Sequence, residues 1–306
     1  MTRPLVSLVL VTYNSERVLP ALFDSLGQTS YEPYELIVVD NGSTDGTVPL
    51  IERRRPDATL LENKPSPGYG AGCNEGARHA RGDFLVFLNP DIVVTPNWLD
   101  ILVGCFERGD RVGIVSPEVL PPDWRPREAE HPAVEAAAVP GCTMMVSRPA
   151  WDDLGGFDEA IFLYWEDTDL CWRAWLRGWR VLESLETHAF HDEGSGGGGS
   201  RSFAGEEMKN ALYVTLKLRR GRHVPLAVLG RAASTLAKAI LWRRADVLAA
   251  WRWNAAHLRS TLELRRQLRD GVDDEQVAEL ERRIARHGRR RLRERLLARL
   301  SPRVAD

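Results

Sequence analysis

Strand-like and helix-like segments alternate through the first ninety residues, and this alternation constrains the fold more than any other feature of the chain. The apolar run LVSLVLVT at 5–12 is typical of a buried strand, and SERVLPALFDSL at 15–26 has the spacing of an amphipathic helix capped by Ser15. Further strands are predicted at 34–40, 58–62 and 84–88, with helices near 47–55 and 70–80. Successive strand–helix units form a mostly parallel sheet with helices on both faces, so we predict an α/β fold.

Polar side chains follow three of the predicted strands at the point where each strand ends. These residues are Thr12, Tyr13 and Asn14, then Asp40 and Asn41, and finally Asn89 and Asp91. In open parallel sheets, ligands bind beyond the carboxyl ends of the strands. We therefore expect a ligand site at this edge of the sheet.

Asp91 and Asp40 each allow two interpretations. Pro90 fixes the backbone just before Asp91, and a carboxylate there can hold Mg²⁺ or Mn²⁺, which take one or two carboxylates together with substrate phosphates. An Asn-Pro-Asp turn also occurs simply where a strand ends. Asp40 is either part of a turn that precedes a helix or a hydrogen-bond acceptor for a base or a ribose.

The alternation loosens after residue 109, where strands are predicted over 111–120, 137–147 and 179–184. GSGGGGS at 194–200 is a flexible segment, either a linker or a mobile lid. Several helices are predicted after it. We therefore expect two parts, a catalytic domain over 1–203 and a basic helical region over 204–306.

Three acids lie at the start of the helix predicted over 166–178. The helix dipole favours negative charge in the first turn, and this explains in part why Glu166, Asp167 and Asp169 occur at this position. Aromatic neighbours such as Trp172 would raise the pKa of a carboxylate and improve it as a base. At least one of Trp172 and Trp175 is expected to belong to the core.

Glycines and histidines elsewhere give weaker signals. PGYGAGCNEGA at 67–77 lacks the third glycine of a dinucleotide-binding turn, which would fall at Glu75. Its small residues still allow the backbone to approach a phosphate. His188 is expected to be a satisfied polar group, whereas His191 lies where a strand pattern ends and can reach a phosphate or a metal.

The bulk composition is that of a soluble globular protein. No apolar window reaches the roughly 18–20 residues of a membrane span, and the N-terminal stretch is too short for a signal peptide. Four widely spaced cysteines are expected to be thiols in a reducing cytoplasm.

Acidic residues predominate in 1–205 and basic ones in 206–306. This asymmetry fits helices lying on an anionic membrane surface, a packed appendage or a homodimer. Nucleic acid is not expected, because no aromatic–basic pattern accompanies the charge.

Taken together, these motifs resemble the inverting glycosyltransferases of family 2, which have the GT-A fold. The matching stretches occur in family order over about residues 5–191: VTYN (11–14), VVDNGSTDGT (38–47), PGYGAGCNEGA (67–77), FLNPD (87–91), GCTMMVSRPAWDDLGGFDE (141–159), FLYWEDTDLCWRA (162–174) and His191. LNPD and YWEDTDLCWR are most similar to the rhamnosyltransferase-like subgroup, which decorates bacterial cell-surface glycans.

The resemblance implies a role for each matching residue. Asp91 matches the last acid of the DxD motif that holds a metal, with Asn89 in place of the first acid, and His191 matches a histidine near that metal. Asp167 matches the catalytic base, with Glu166 beside it. The donor site is implied at Thr12, Tyr13, Asn14, Asp40, Asn41, Gly70, Asn74, Asn89 and Asp91, and the acceptor site at Gly141, Tyr164, Trp165 and Asp169.

The implied reaction is a one-step displacement that inverts the sugar configuration and depends on Mg²⁺ or Mn²⁺. The donor would be dTDP-rhamnose or a UDP-sugar, and the acceptor a glycan or a lipid-linked sugar. Two alternatives remain open. One is an inactive nucleotide-sugar or glycan-binding module on the same fold. The other is a nucleotidyltransferase, which needs a basic loop near the first strand, where only Arg17 is basic.

Overall fold

The structure is a computed structural model that describes residues 3–124, 131–192, 203–242 and 246–286. Within these ranges, nine strands form one sheet: β1 (Val6–Thr12), β2 (Tyr34–Asp40), β3 (Thr59–Glu62), β4 (Phe84–Leu88), β5 (Ile92–Val94), β6 (Val112–Leu120), β7 (Ala133–Glu135), β8 (Thr143–Ser147) and β9 (Arg180–His191). The sheet order is β3-β2-β1-β4-β8-β6-β9-β5, and β7 pairs with β9.

The first four strands in this order are parallel. β8 runs antiparallel to both β4 and β6, and β6 is parallel to β9. β4, β6 and β9 therefore all point their carboxyl ends at the edge where β1 and β2 end. The polar strand ends predicted from the sequence meet at this edge.

Helices cover both faces of the sheet. They are α1 (Leu19–Leu26), α2 (Thr47–Arg54), α3 (Tyr69–His79), α4 (Trp98–Phe106), α5 (Arg148–Leu154), α6 (Glu166–Leu176), α7 (Ala204–Leu218), α8 (Val224–Trp242), α9 (Asp246–Ala256) and α10 (Leu258–Arg269), and a further helix covers 274–286. Leu8 and Leu10 of β1 share a core with α1, α2 and α4. Val9 and Val11 share the other core with α3, α5, α6 and α7. Alternate residues of a strand point to opposite faces, so β1 contributes to a core on each side of the sheet. A mostly parallel sheet with helices on both faces confirms the predicted α/β fold.

Several predicted boundaries are shifted. α1 begins at Leu19 rather than Ser15, with Pro20 in its first turn, a position that proline favours. The strand predicted over 137–147 begins only at Thr143, because Pro140 and Gly141 interrupt it. β9 continues beyond the predicted 179–184 to His191, which brings that histidine to the ligand edge.

The C-terminal helices pack on the sheet domain. Tyr213, Val214 and Leu218 of α7 belong to the same core as Trp172 and Trp175. Both tryptophans are buried, where the sequence predicted at least one of them in the core. The predicted division at residue 203 stays a prediction. The glycine-rich segment 194–200 lies outside the described residues. No helix of the described part of the chain has the length and apolar character needed to cross a membrane.

Candidate active site

Asp91 and His191 are neighbours at the ligand edge although they lie 100 residues apart in sequence. β5 follows Asp91 directly and pairs with β9 so that Ile92 faces His191. The Nε2 atom of His191 is 3.1 Å from Oδ1 of Asp91, and the two side chains are 16% and 9% exposed. The sheet register therefore brings the two predicted metal ligands together.

The Asp91–His191 pair fits a cation that is only partly held by protein. Within the residues that the structure describes, no group of three or more histidine, cysteine and acidic side chains could hold a metal ion. Mg²⁺ typically binds through one or two carboxylates, and it takes substrate phosphates and waters as its other ligands. A carboxylate beside an imidazole matches that incomplete donor set.

Asp40 organises the loop that follows β2. It pairs with Thr12 across the sheet, and the Thr12 hydroxyl donates to Oδ1 of Asp40 at 2.9 Å. The backbone N–H groups of Gly42 and Ser43 donate to Oδ2, and the Ser43 hydroxyl donates to Oδ1. The Asp40 side chain is fully buried. Its direct contact with a base or a ribose therefore stays a prediction, and what the geometry provides is a rigid loop.

The residues that follow β1 are more accessible. Asn14 has a left-handed backbone with φ of 48°, and its N–H donates to the Ser43 hydroxyl at 2.8 Å. Its Oδ1 accepts from the backbone N–H of Thr44 at 2.8 Å. These bonds join the loop after β1 to the loop after β2. Tyr13, in the loop after β1, is 58% exposed, so its ring is available to a ligand at the edge.

Three other predicted donor residues lie within the packing around α3. Nδ2 of Asn41 donates to the Gly68 carbonyl at 3.0 Å. A Cβ atom at Gly70 would lie 3.1 Å from Cβ of Phe157, which explains a glycine there. Asn74 donates to the Phe157 carbonyl and accepts from the Phe157 N–H. These residues fix α3 against the loop near 157, and their predicted contact with a donor stays a prediction.

Asp167 is held in a fixed orientation at the start of α6. The Gly141 N–H donates to its Oδ2 at 3.0 Å, and the Thr168 N–H donates to Oδ1. A Cβ atom at Gly141 would lie 3.1 Å from Cβ of Asp167, so the approach is close. Burial raises the pKa of Asp167, and these hydrogen bonds oppose the rise. The residue as a whole is partly exposed.

A short segment connects Asp167 to the metal-binding edge. Gly141 contacts Asp167, and the carbonyl of the next residue, Cys142, accepts a hydrogen bond from the Asn89 N–H at 2.9 Å. Asn89 is two residues from Asp91. The predicted base and the predicted metal ligands thus lie on either side of 141–142, in one site.

The turn before Asp167 has an unusual backbone. Tyr164 and Trp165 have φ values of 67° and 78°, the left-handed region that residues with side chains rarely adopt. Such conformations persist only where the surroundings hold them, and they cluster at functional sites. The predicted acceptor residues Tyr164 and Trp165 are therefore held in place. The ring of Trp165 also packs edge-to-face on Trp172 and lies 4.6 Å from the Arg231 guanidinium.

Asp169 does not join this exposed group. Its side chain is fully buried, and its two oxygens accept from Nε of Arg173 at 2.7 Å and from Nζ of Lys217 at 2.6 Å. The carboxylate of Asp169 is therefore not accessible to an acceptor. Asp169 and Arg173 are four residues apart on α6, so they lie on one face of the helix. Lys217 was not predicted, because nothing local in the sequence connects it to α6.

Glu166 is a buried acid beside the predicted base. The residue is 7% exposed, and its Oε2 has no hydrogen-bond partner among the residues that the structure describes. Burial, followed by the charge of Asp167, raises the pKa of Glu166 from 4.5 to about 8. At neutral pH Glu166 is therefore mostly protonated, so it adds little negative charge beside Asp167.

The raised pKa of Glu166 predicts a pH-dependent loss of stability. The folded state retains a proton that the unfolded state releases above 4.5, so the contribution of Glu166 is complete below pH 4.5 and is lost as pH rises through about 8. Glu166→Gln keeps the neutral shape. The melting temperature of the variant minus that of the wild type should increase as the pH rises from about 5 to about 9. A difference that does not vary with pH would contradict this assignment, and the exposed substitution Glu52→Gln is the control.

The sequence is similar to those of known glycosyltransferases. A family model described as "Glycosyl transferase family 2" matches residues 7–177. The chain is 27% identical over 228 residues to an N-acetylglucosaminyl-diphospho-decaprenol L-rhamnosyltransferase of Mycobacterium tuberculosis, covering 60% of this chain and 74% of that protein. It is also 27% identical over 237 residues to the putative glycosyltransferase EpsE of Bacillus subtilis, covering 71% of this chain and 83% of that protein.

Solved structures share the fold at lower identity. Mannosyltransferase PcManGT from Pyrobaculum calidifontis, in complex with GDP-Man and Mn²⁺, has a TM-score of 0.60 and 20% identity, covering 87% of this chain and 85% of that one. S. aureus TarS 1-349 in complex with UDP-GlcNAc has a TM-score of 0.60 and 18% identity, covering 87% and 90%. At these identities the similarity shows a common fold alone.

Proposed function

The chain belongs to glycosyl transferase family 2, and from that premise we propose that it is an inverting, metal-dependent glycosyltransferase. It moves a sugar from a nucleoside-diphosphate sugar to a hydroxyl of a glycan or lipid-linked acceptor in cell-surface polysaccharide synthesis. Similarity to the rhamnosyltransferase supports dTDP-rhamnose as the donor, and a UDP-sugar is the alternative. The observation that carries the proposal is the placement of Asp167, fixed by Gly141, one short segment from Asn89 and Asp91.

The donor binds at the edge formed by the first two strands and β4. The loop after β1, which Asn14 joins to the loop that Asp40 holds, presents Tyr13 and Asn14 to the nucleoside. Asp91 and His191 would hold Mg²⁺ or Mn²⁺ near the diphosphate. When bound, that cation neutralises the charge of the departing nucleoside diphosphate. Asn89 replaces an acid at this edge, so its contact with the ribose would use an amide.

Asp167 acts on the acceptor. Its carboxylate accepts the proton of an acceptor hydroxyl, whose oxygen attacks the anomeric carbon on the face opposite the leaving group, so the configuration inverts. The Gly141 N–H keeps one carboxylate oxygen oriented during this step. A single positioned base typically contributes about 10²–10⁴-fold in rate. Neutral Glu166 adds no second charge beside the base.

The acceptor is proposed to be presented at the inner face of a membrane. The outward face of α8 carries Leu226 and Leu229, which are 75% and 66% exposed, followed by exposed Ala233 at the same helical position. An apolar helix face within a basic region suits an anionic bilayer surface. The opposite face of α8 places Arg231 over Trp165, so the bound surface would lie beside the acceptor turn.

Leu226→Glu with Leu229→Glu should abolish co-sedimentation with phosphatidylglycerol vesicles, because two charges would enter the apolar face. Phosphatidylcholine vesicles are the control for the charge requirement. Equal sedimentation of variant and wild type would contradict the membrane surface. A concentration-dependent dimer that the same change dissociates would assign this face to a second copy of the chain instead.

The proposed function is tested by a thermal-shift panel of dTDP, UDP, GDP and their sugar conjugates, each with Mn²⁺ and with EDTA. A ligand that binds only the folded state raises the melting temperature by mass action. We expect a metal-dependent rise with one nucleotide. A rise without any sugar transfer would favour a nucleotide-sugar-binding module. No rise with any nucleotide would contradict the donor site.

A further inference from the structure

α7 contacts the turn before Asp167 through Asn210. Nδ2 of Asn210 donates to the carbonyls of Leu163 and Tyr164, at 2.9 and 3.0 Å. Asn210 is fully buried. Its two bonds lie at the start of the left-handed pair Tyr164 and Trp165, which requires support from its surroundings. One amide from a helix outside the family match therefore holds the strained turn.

One helical face of α7 also holds α6. Lys217 lies two turns after Asn210, and its Nζ donates to Asp158 and Asp169 at 2.6 Å each. Tyr213 lies on the same face and donates to Asp158 at 2.8 Å. The Lys217 side chain is 2% exposed. Because Asp169 is two residues after Asp167 on α6, this contact fixes the helix that carries the predicted base.

The charges of this buried cluster balance. Asp158 and Asp169 are opposed by Lys217 and Arg173, and Arg173 also donates to the carbonyls of Leu154 and Gly156. A buried charge that loses its partner is strongly unfavourable. The cluster therefore holds its members in one arrangement, in which α6, α7 and the loop near 158 are mutually fixed.

We propose that Asn210 and Lys217 of α7 are positioning residues that hold the turn 163–165 and α6 so that Asp167 is aligned for catalysis. The effect on turnover rests on the proposed function, whereas the effect on the order of α6 does not. A misplacement of about 1 Å at a reacting group can lower the rate about 10²-fold. The C-terminal helices would thus be needed for the reaction itself, in addition to any contact with an acceptor.

The test separates positioning from stability with a charge-balanced variant. Lys217→Met alone leaves the buried cluster with an excess negative charge and should lower the melting temperature. Lys217→Met with Asp158→Asn leaves only the Asp169–Arg173 pair, so most of the stability should return. Asn210→Ala removes the turn contact without changing any charge. Leu212→Ala, in a buried part of α7 outside the core shared with α6, is the control for general destabilisation.

Hydrogen–deuterium exchange of the full-length chain gives the first readout. The amides of 163–176 should exchange faster in the double variant and in Asn210→Ala, while those of β1 and β4 remain unchanged. Leu212→Ala should not raise exchange selectively at 163–176. Wild-type exchange at 163–176 in both positioning variants would overturn the proposal, whether or not the wild type transfers sugar.

Turnover gives the second readout, with dTDP-rhamnose or UDP-N-acetylglucosamine as donor and prenyl-diphospho-N-acetylglucosamine as acceptor. The double variant and Asn210→Ala should lose about 10- to 100-fold in kcat with an unchanged donor KM. Full recovery of kcat in the double variant would reduce the cluster to a role in stability and overturn the proposal. If the wild type turns over neither donor, the proposed function fails for those donors, and the exchange result still decides the positioning role of α7.

Discussion

Asp167→Asn is expected to abolish sugar transfer while the fold and nucleotide binding remain. Asparagine has the shape of aspartate, and its amide oxygen can still accept from the Gly141 N–H that orients the carboxylate. It has no basic oxygen that could take the proton of an acceptor hydroxyl. Loss of a positioned general base typically lowers the rate about 10²–10⁴-fold.

The assay for Asp167→Asn follows release of nucleoside diphosphate and formation of glycosylated acceptor. Metal-dependent nucleotide binding should match that of the wild type, which separates a lost chemical step from a lost donor site. Asp152→Asn, an exposed substitution on α5, is the control and should keep full activity. Near-wild-type turnover of Asp167→Asn would show that another group takes the proton.

Asp91→Ala is expected to remove most of the metal dependence of nucleotide binding. The change deletes the carboxylate at the end of β4 and leaves Nε2 of His191 without its 3.1 Å contact to Oδ1. Even loss of an outer partner of a metal ligand typically weakens binding about 10- to 100-fold, so loss of the carboxylate ligand should cost at least that much.

Calorimetry with the nucleoside diphosphate identified in the thermal-shift panel measures this effect. Wild type and Asp91→Ala should bind equally weakly in EDTA, and only the wild type should gain affinity on addition of Mn²⁺. An equal gain in both proteins would place the cation elsewhere. Unequal binding in EDTA would instead indicate that Asp91 contacts the nucleotide directly.

The edge of the sheet could be predicted from the sequence because its determinants are local. Apolar runs that end in polar residues mark the strand ends, and parallel strands place those ends together. Thr12 and Asp40 are therefore neighbours as the alternation implies. The contact of Asp91 with His191 could not be predicted from local patterns, because it depends on the pairing of β5 with β9. β9 extends to His191, whereas periodicity predicted that strand only to residue 184.

The support beneath the site could not be predicted in the same way. Asn210 and Lys217 look like ordinary polar residues of an amphipathic helix, and only the packing of α7 against α6 reveals their partners. The resemblance implied that Asp169 belongs to the acceptor site together with Tyr164 and Trp165. Helical geometry turns it inward, where Arg173 and Lys217 neutralise it. Long-range pairing of buried charges has no periodic signature along the chain.

The central claim is an inverting transfer of sugar, and the configuration of the product tests it most directly. The wild-type protein would be incubated with Mn²⁺, an α- or β-linked nucleotide sugar from the panel and prenyl-diphospho-N-acetylglucosamine, and the new linkage would be assigned by NMR. The account predicts a single product whose anomeric configuration is opposite to that of the donor, and no product with Asp167→Asn. A product of retained configuration, or metal-dependent nucleotide binding without any product from the panel, would contradict it.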